Sequence, residues 1–215
     1  MLYPHSEAAI ALLRRAPVVP VLTVKNVEDA VAQARALIAG GLKVLEVTLR
    51  TPAAVAAVAA LAKIFPEAII GAGTIIEAEQ IQAASDAGAR FLVSPGMTQC
   101  LVEAGVRSPI PFLPGAATVS EALALRERGF RALKFFPAEP AGGARYLASL
   151  AGPLPDLIFC PTGGIDAQNA GNYLALPNVA CVAGSWMVAP GLLAARDLGK
   201  VEQLAREATA LGRHL

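Results

Sequence analysis

Eight apolar runs rich in β-branched residues recur along this chain, beginning near Val18, Val44, Ala68, Phe91, Pro111, Arg131, Leu157 and Val179. Successive starts lie 20 to 26 residues apart. Ala-rich stretches at helical spacing fill the gaps, at residues 27–38, 52–65, 77–87, 98–106, 119–128, 144–150 and 167–176. Strands that alternate with helices of about 10–15 residues form βαβ units and a parallel sheet. A strand of such a sheet is covered on both faces, so it reads as an unbroken apolar run instead of an alternating one. Eight units in 215 residues predict one (β/α)8 barrel domain spanning residues 1–215. An additional N-terminal helix over residues 6–14 would close the bottom of the barrel, and a last helix over 198–211 would close the ring. A doubly wound open sheet is the structural alternative. It normally carries a G-x-G-x-x-G turn after its first strand, whereas residues 20–25 here run into Asn26.

Local punctuation agrees with this spacing. Gly40-Gly41, Gly88, Gly105 and Gly129 follow helical patterns, where a C′ residue is expected. Ser120 and Glu121 stand near one helix start and Asp166 near another, as caps and dipole-favoured acids do.

Composition removes several function classes. The formal net charge is +1, from 18 basic and 17 acidic residues with no block of one sign. No electrostatic footprint for nucleic acid or an anionic membrane is visible. The chain is 55% hydrophobic with a mean hydropathy of +0.53. No stretch approaches 18 apolar residues free of Gly, Pro and charge, so the excess is read as buried strands and not as a membrane span. The opening Met-Leu-Tyr-Pro-His-Ser-Glu lacks a basic region followed by an apolar one, so no signal peptide is expected. Cys100, Cys160 and Cys181 are odd in number and form no C-x-x-C pair, which fits reduced thiols in a cytoplasmic protein.

Against this background the informative residues are charges inside apolar strands, because burying a charge is costly unless it is paired or used. In Val44-Leu-Glu-Val-Thr-Leu-Arg50, Glu46, Thr48 and Arg50 share one face while Leu45, Val47 and Leu49 share the other. The apolar face meets helices, which sends Glu46 and Arg50 into the barrel. Of 17 acidic residues only Glu46 lies in mid-strand. Of the five lysines only Lys134, in Leu133-Lys-Phe-Phe-Pro137, is embedded in hydrophobes. Read blandly, Glu46 belongs to a structural ion pair and Lys134 snorkels to the barrel mouth. Read chemically, desolvation disfavours an ammonium and frees an amine to attack a carbonyl. Glu46 and Lys134 fall on the second and sixth strands, and strands of like parity fill the same interior layers. A carboxylate facing an imine-forming lysine can shuttle protons as the imine forms on a ketone carbonyl and at the carbon next to it. Arg50 offers a planar fork for a carboxylate. Thr74 and Thr162 end the third and seventh strands, with hydroxyls toward the mouth, although each alone also reads as strand filler.

Small residues follow the last two strands. Gly163 and Gly164, in Pro161-Thr-Gly-Gly-Ile165, and Ser185, in Gly184-Ser-Trp-Met187, occupy the loops where barrels of this kind frequently bind phosphate. Glycines let backbone N–H groups approach an anion, though a tight βα turn would use them too. A metal-dependent aldolase is disfavoured, because His5 and His214 are the only histidines and both lie near the termini. A phosphosugar isomerase would need a base but no buried lysine. A silent metabolite-binding barrel would gain nothing from keeping Glu46 and Lys134.

The motifs Glu46-Val-Thr-Leu-Arg-Thr51, Gly71-Ala-Gly-Thr74, Ser94-Pro-Gly96, Pro114-Gly-Ala-Ala-Thr-Val-Ser-Glu121, Lys134-Phe-Phe-Pro-Ala-Glu139, Cys160-Pro-Thr-Gly-Gly164 and Gly184-Ser-Trp186 together resemble the bacterial 2-keto-3-deoxy-6-phosphogluconate (KDPG) aldolase family. The resemblance runs from about Val18 to Pro190. It implies a metal-independent, homotrimeric barrel that cleaves KDPG to pyruvate and glyceraldehyde 3-phosphate in the Entner–Doudoroff pathway, with 4-hydroxy-2-oxoglutarate as a second substrate of many members. It implies Lys134 as the Schiff-base residue and Glu46 as its acid/base. Arg50, Thr74 and Thr162 would then hold or flank the pyruvate carboxylate, and Gly163, Gly164 and Ser185 the phosphate.

Overall fold

A computed structural model describes residues 3–211. His214 therefore lies outside the described residues. The eight predicted runs appear as parallel strands: β1 (Val18–Leu22), β2 (Val44–Thr48), β3 (Ile69–Gly73), β4 (Leu92–Val93), β5 (Phe112–Leu113), β6 (Gly115–Ala116), β7 (Ala132–Phe135), β8 (Ile158–Pro161) and β9 (Val182–Gly184). They form a curled sheet in two ladders, β5-β4-β3-β2-β1-β9 and β6-β7-β8. Parallel bridges Phe159–Val179 and Thr162–Ala183 link β8 to the segment carrying β9.

The fifth run yields two short strands instead of one, and Pro114 is the reason. Phe112 and Leu113 pair with β4, whereas Gly115 and Ala116 pair with β7. Pro114 has no N–H to give, so the run changes partners there, and the Pro114 carbonyl accepts from the Lys134 N–H at 3.0 Å.

Side-chain parity sorts the core into two layers. Val19, Val44, Ile69, Phe91, Val93, Leu113, Ala132, Cys160, Cys181 and Ala183 point inward and cluster together. Helix α1 (Ser6–Leu13) contributes Ala9, Leu12 and Leu13 to that same cluster. Residues one position away, such as Leu45, Val47, Ile70, Leu92, Leu133 and Phe159, join the layer between strands and helices. That outer layer is completed by α2 (Val27–Ala39), α3 (Ala54–Ile64), α4 (Ala78–Asp86), α5 (Gln99–Val106), α6 (Val119–Glu127), α7 (Gly143–Ser149), α8 (Ala170–Leu174), α9 (Pro190–Ala194) and α10 (Leu198–Ala210). Complete burial of a Leu, Val or Phe side chain contributes about 1.5–3 kcal/mol each, which makes this layer the main source of stability.

Two local expectations need correction. Gly105 does not end α5 but lies within it, and glycine stands there because a Cβ would fall 2.2 Å from the Phe112 ring. Helix α6 is capped by Thr118 and not by Ser120: the Thr118 hydroxyl accepts from the Glu121 N–H, and the Glu121 carboxylate accepts from the Thr118 N–H. That carboxylate also accepts from the Ala117 N–H, which holds its ionisation below the ordinary carboxylate range. No helix among the described residues is long and apolar enough to cross a membrane.

Candidate active site

Strand pairing places the two buried charges. Glu46 is aligned with Val21 on β1 and Gly71 on β3, and Lys134 with Gly115 on β6 and Cys160 on β8. Both side chains have inward parity. Glu46 is 2% exposed and Lys134 3%, and the Lys134 Nζ stands 3.7 Å from Glu46 Oε1. That separation is an ion-pair contact but too long for a hydrogen bond. Glu46 Oε1 has no hydrogen-bond partner among the described residues. A buried oxygen left unpaired costs about 1–3 kcal/mol, and a charged one more. The arrangement costs stability and keeps an acceptor beside an amine.

Two neighbours shape this pair without having been singled out from the sequence. A Cβ on Gly73 would fall 1.9 Å from Glu46 Oε1, so the carboxylate occupies space that only glycine leaves. The signal was a glycine inside a strand, which marks close approach. The Phe136 ring lies 5.1 Å from Lys134 Nζ, within cation–π range. Cys160, in register with Lys134, has its sulfur 3.5 Å from that of Cys181. The hydrogen bond to Cys160, then burial, then the Glu46 charge push the Cys181 thiol well above the ordinary range.

At the rim, the Arg50 Nε donates to Thr74 Oγ1 at 3.0 Å. Thr74 has φ +58, an unusual conformation for a β-branched residue that costs about 1–3 kcal/mol. Flanking backbone bonds hold it there: Leu49 N–H to the Gly73 carbonyl at 2.8 Å and Ile75 N–H to the Val93 carbonyl at 3.0 Å. Among the described residues no carboxylate pairs with Arg50, so its terminal nitrogens remain available as a fork.

Thr162 is buried at the end of β8, and its N–H donates to the Phe135 carbonyl at 2.9 Å. Gly163 and Gly164 follow with φ +101 and +78. Their carbonyls are occupied, Gly163 by the Glu139 N–H at 3.0 Å and Gly164 by Asn169 Nδ2 at 2.9 Å. Their own N–H groups have no acceptor among the described residues, so the loop presents two free donors. Ser185 is exposed just before a short 3₁₀ turn, Trp186–Val188, whose Val188 N–H donates back to the Ser185 carbonyl. Ser185 also lines a cleft of about 780 Å³ with Thr23, Gln33 and Arg196. The Thr162–Ala183 bridge sets the Gly163-Gly164 and Ser185 loops side by side. The expected residues thus fall into a buried Glu46–Lys134 pair, an Arg50–Thr74 pair at the rim, and a donor loop. Among the described residues no group of three or more His, Cys, Asp and Glu could hold a metal ion.

A buried amine ion-paired with a carboxylate oxygen that makes no hydrogen bond, with free N–H donors in the loop after the adjacent strand, has the parts an imine-forming aldolase needs. A family model described as KDPG and KHG aldolase matches residues 9–204. The chain belongs to this family. It is 49% identical over 201 residues to the KHG/KDPG aldolase of Escherichia coli strain K12, covering 94% of each chain. The KDPG aldolase of Legionella pneumophila, solved with pyruvate captured at low pH as a covalent carbinolamine intermediate, matches with a TM-score of 0.91 and 45% identity, over 94% of this chain and 98% of that one. The 2-keto-3-deoxy-6-phosphogluconate aldolase of Zymomonas mobilis ZM4, solved with 3-phosphoglycerate, gives a TM-score of 0.91 and 42% identity, over 97% of this chain and 98% of that one. Membership of the KDPG/KHG aldolases makes this chain a carbon–carbon lyase.

Proposed function

We propose that this class I aldolase cleaves 2-dehydro-3-deoxy-6-phosphogluconate to pyruvate and D-glyceraldehyde 3-phosphate, and 4-hydroxy-2-oxoglutarate to pyruvate and glyoxylate. The observation that carries this reading is the 3.7 Å approach of Lys134 to Glu46 in an apolar interior. The Lys134 amine adds to the C2 carbonyl, and Glu46 returns a proton to the new hydroxyl so that it leaves as water. Removal of the C4 hydroxyl proton then breaks the C3–C4 bond. Its electron pair flows into the protonated imine and leaves an enamine as the aldehyde departs. Protonation at C3 and hydrolysis of the imine release pyruvate and regenerate the amine. Arg50, with Thr74 and Thr162, holds the C1 carboxylate end, and Gly163, Gly164 and Ser185 take the phosphate.

Residues 1–215 act as a single (β/α)8 barrel domain, with α1 against its N-terminal end. The family resemblance supports a cytoplasmic homotrimer in the Entner–Doudoroff pathway, working without a metal. The test is pyruvate release from each keto acid, coupled to NADH oxidation, with and without EDTA. Both substrates are expected to yield pyruvate, with EDTA leaving the rates unchanged. Release of pyruvate from neither keto acid would refute the assignment, and loss of activity in EDTA would refute the metal-free route.

A further inference from the structure

Glu139 is exposed, yet its side chain is held at both ends. It lies four residues beyond β7, where its N–H continues the β7–β8 pairing by donating to the Gly163 carbonyl at 3.0 Å. Its Cβ and Cγ stand 2.7 and 2.8 Å from the point where a Cβ on Gly164 would sit, so its methylenes lie against the Gly164 backbone. Its carboxylate accepts a hydrogen bond from the hydroxyl of Tyr173, a fully buried residue of α8. Gly143, at the start of α7, leaves the room: a Cβ there would be 3.4 Å from Glu139 Oε1 and 3.6 Å from the Tyr173 hydroxyl oxygen. The side chain therefore spans from the donor loop to two helices. Burial, and next the Glu139 hydrogen bond, keep the Tyr173 phenol above its ordinary range, so it remains the donor at working pH. A carboxylate beside an anion site would repel the anion if it were free to turn. This one is tied to the Tyr173 hydroxyl of α8.

We infer that Glu139 and Tyr173 are a positioning pair that holds the Gly163-Gly164 loop in its phosphate-binding shape, and so sets the preference for phosphorylated over unphosphorylated keto acids. The inference rests on the phosphate reading proposed above. Neither residue contacts Lys134 or Glu46 in any hydrogen bond or ion pair of the described residues, so the pair acts through the loop and not directly on the reacting groups.

The test compares wild type, Tyr173→Phe, Glu139→Ala and Glu139→Gln, all first checked for wild-type circular dichroism and melting behaviour. kcat and KM are measured for the phosphorylated substrate and for 4-hydroxy-2-oxoglutarate, together with inhibition by inorganic phosphate. Losing a hydrogen bond to a charged group predicts that Tyr173→Phe raises KM for the phosphorylated substrate and Ki for phosphate together, by about tenfold. Its kcat, and both constants for 4-hydroxy-2-oxoglutarate, stay within about twofold. Glu139→Ala, altered at an exposed position, shows the same split should Tyr173→Phe fail to fold. Glu139→Gln keeps an oxygen acceptor and stays near wild type. Equal KM changes for both substrates, or an unchanged Ki for phosphate in the two disrupting variants, overturn the inference. Wild type is measured first: if phosphate does not compete there, the phosphate reading itself fails and the pair's role fails with it.

Discussion

Replacing Gly73 by Ala should disable the proposed site without removing either of its two charged groups. The new methyl would stand 1.9 Å from Glu46 Oε1, 2.6 Å from its Cδ and 2.7 Å from its Cγ. Restoring ordinary van der Waals separation moves the carboxylate by about 1.5 Å. Glu46 is 2% exposed, so it cannot swing into open solvent, and the shift alters its 3.7 Å relation to Lys134. Misplacement of about 1 Å can cost 10²-fold in rate, so kcat for pyruvate release should fall about 10²–10³-fold. Overpacking should also lower stability by about 1–3 kcal/mol. Gly71→Ala is the control. It lies two residues earlier on the same face, and its methyl would meet the Phe91 ring at 2.3 Å, with no Glu46 atom among its nearest neighbours. It should show a comparable fall in melting temperature, with kcat changed by no more than about threefold. The assay is steady-state pyruvate release beside thermal melts of both variants. A folded Gly73→Ala enzyme with near wild-type kcat would show that the Glu46 carboxylate is not needed where it stands.

Three further outcomes can be checked. Glu46→Gln keeps the side-chain shape but cannot hold and return a proton, so exchange of the pyruvate methyl protons into D2O, followed by NMR, should slow by about 10²-fold or more; unchanged exchange removes Glu46 as the proton shuttle. A thiol reagent at pH 8 should modify Cys100, which is exposed, and spare Cys160 and Cys181 until the chain unfolds, because both are buried and the Cys181 thiol is held in its protonated form; mass spectrometry of the native protein showing rapid labelling of either buried thiol contradicts this. Tyr3 is buried, and its phenol is pushed above the unfolded value of 10.0 chiefly by that burial. Its contribution to stability is complete below about pH 10 and is lost as the pH rises beyond that value. Tyr3→Phe should flatten the alkaline fall in denaturation midpoint, and an identical alkaline slope in the variant refutes the assignment.

The parts of the fold that follow from periodicity were legible in the sequence. Apolar runs and Ala-rich intervals mark the strands and helices closely, and Glu46 and Lys134 stood out because a charge in an apolar strand needs a reason. What escaped depends on contacts between distant segments. Pro114 reads as strand material until its missing N–H is set against two different partner strands. Gly105 looks like a helix end, and only its approach to Phe112 explains a glycine within α5. Helix α8 starts at Ala170, later than the helical pattern at 167 suggests, because the Asp166 carboxylate accepts from the Gln168 and Asn169 N–H groups and makes a turn of that stretch. Thr74 offers its hydroxyl to a reading of the sequence, while its positive φ has no local sequence signal. Gly73 and Glu139 belong to motifs visible in the chain, but their contacts with Glu46, Gly164 and Tyr173 depend on how strands and helices pack.

The proposed chemistry depends on Lys134 forming the covalent intermediate. Incubating the protein with pyruvate and sodium borohydride, followed by intact-mass measurement and peptide mapping, tests it most directly. One reduced pyruvate adduct per chain is expected, located on Lys134 and absent from Lys134→Ala. No adduct, or one on Lys25, Lys43, Lys63 or Lys200, would contradict it.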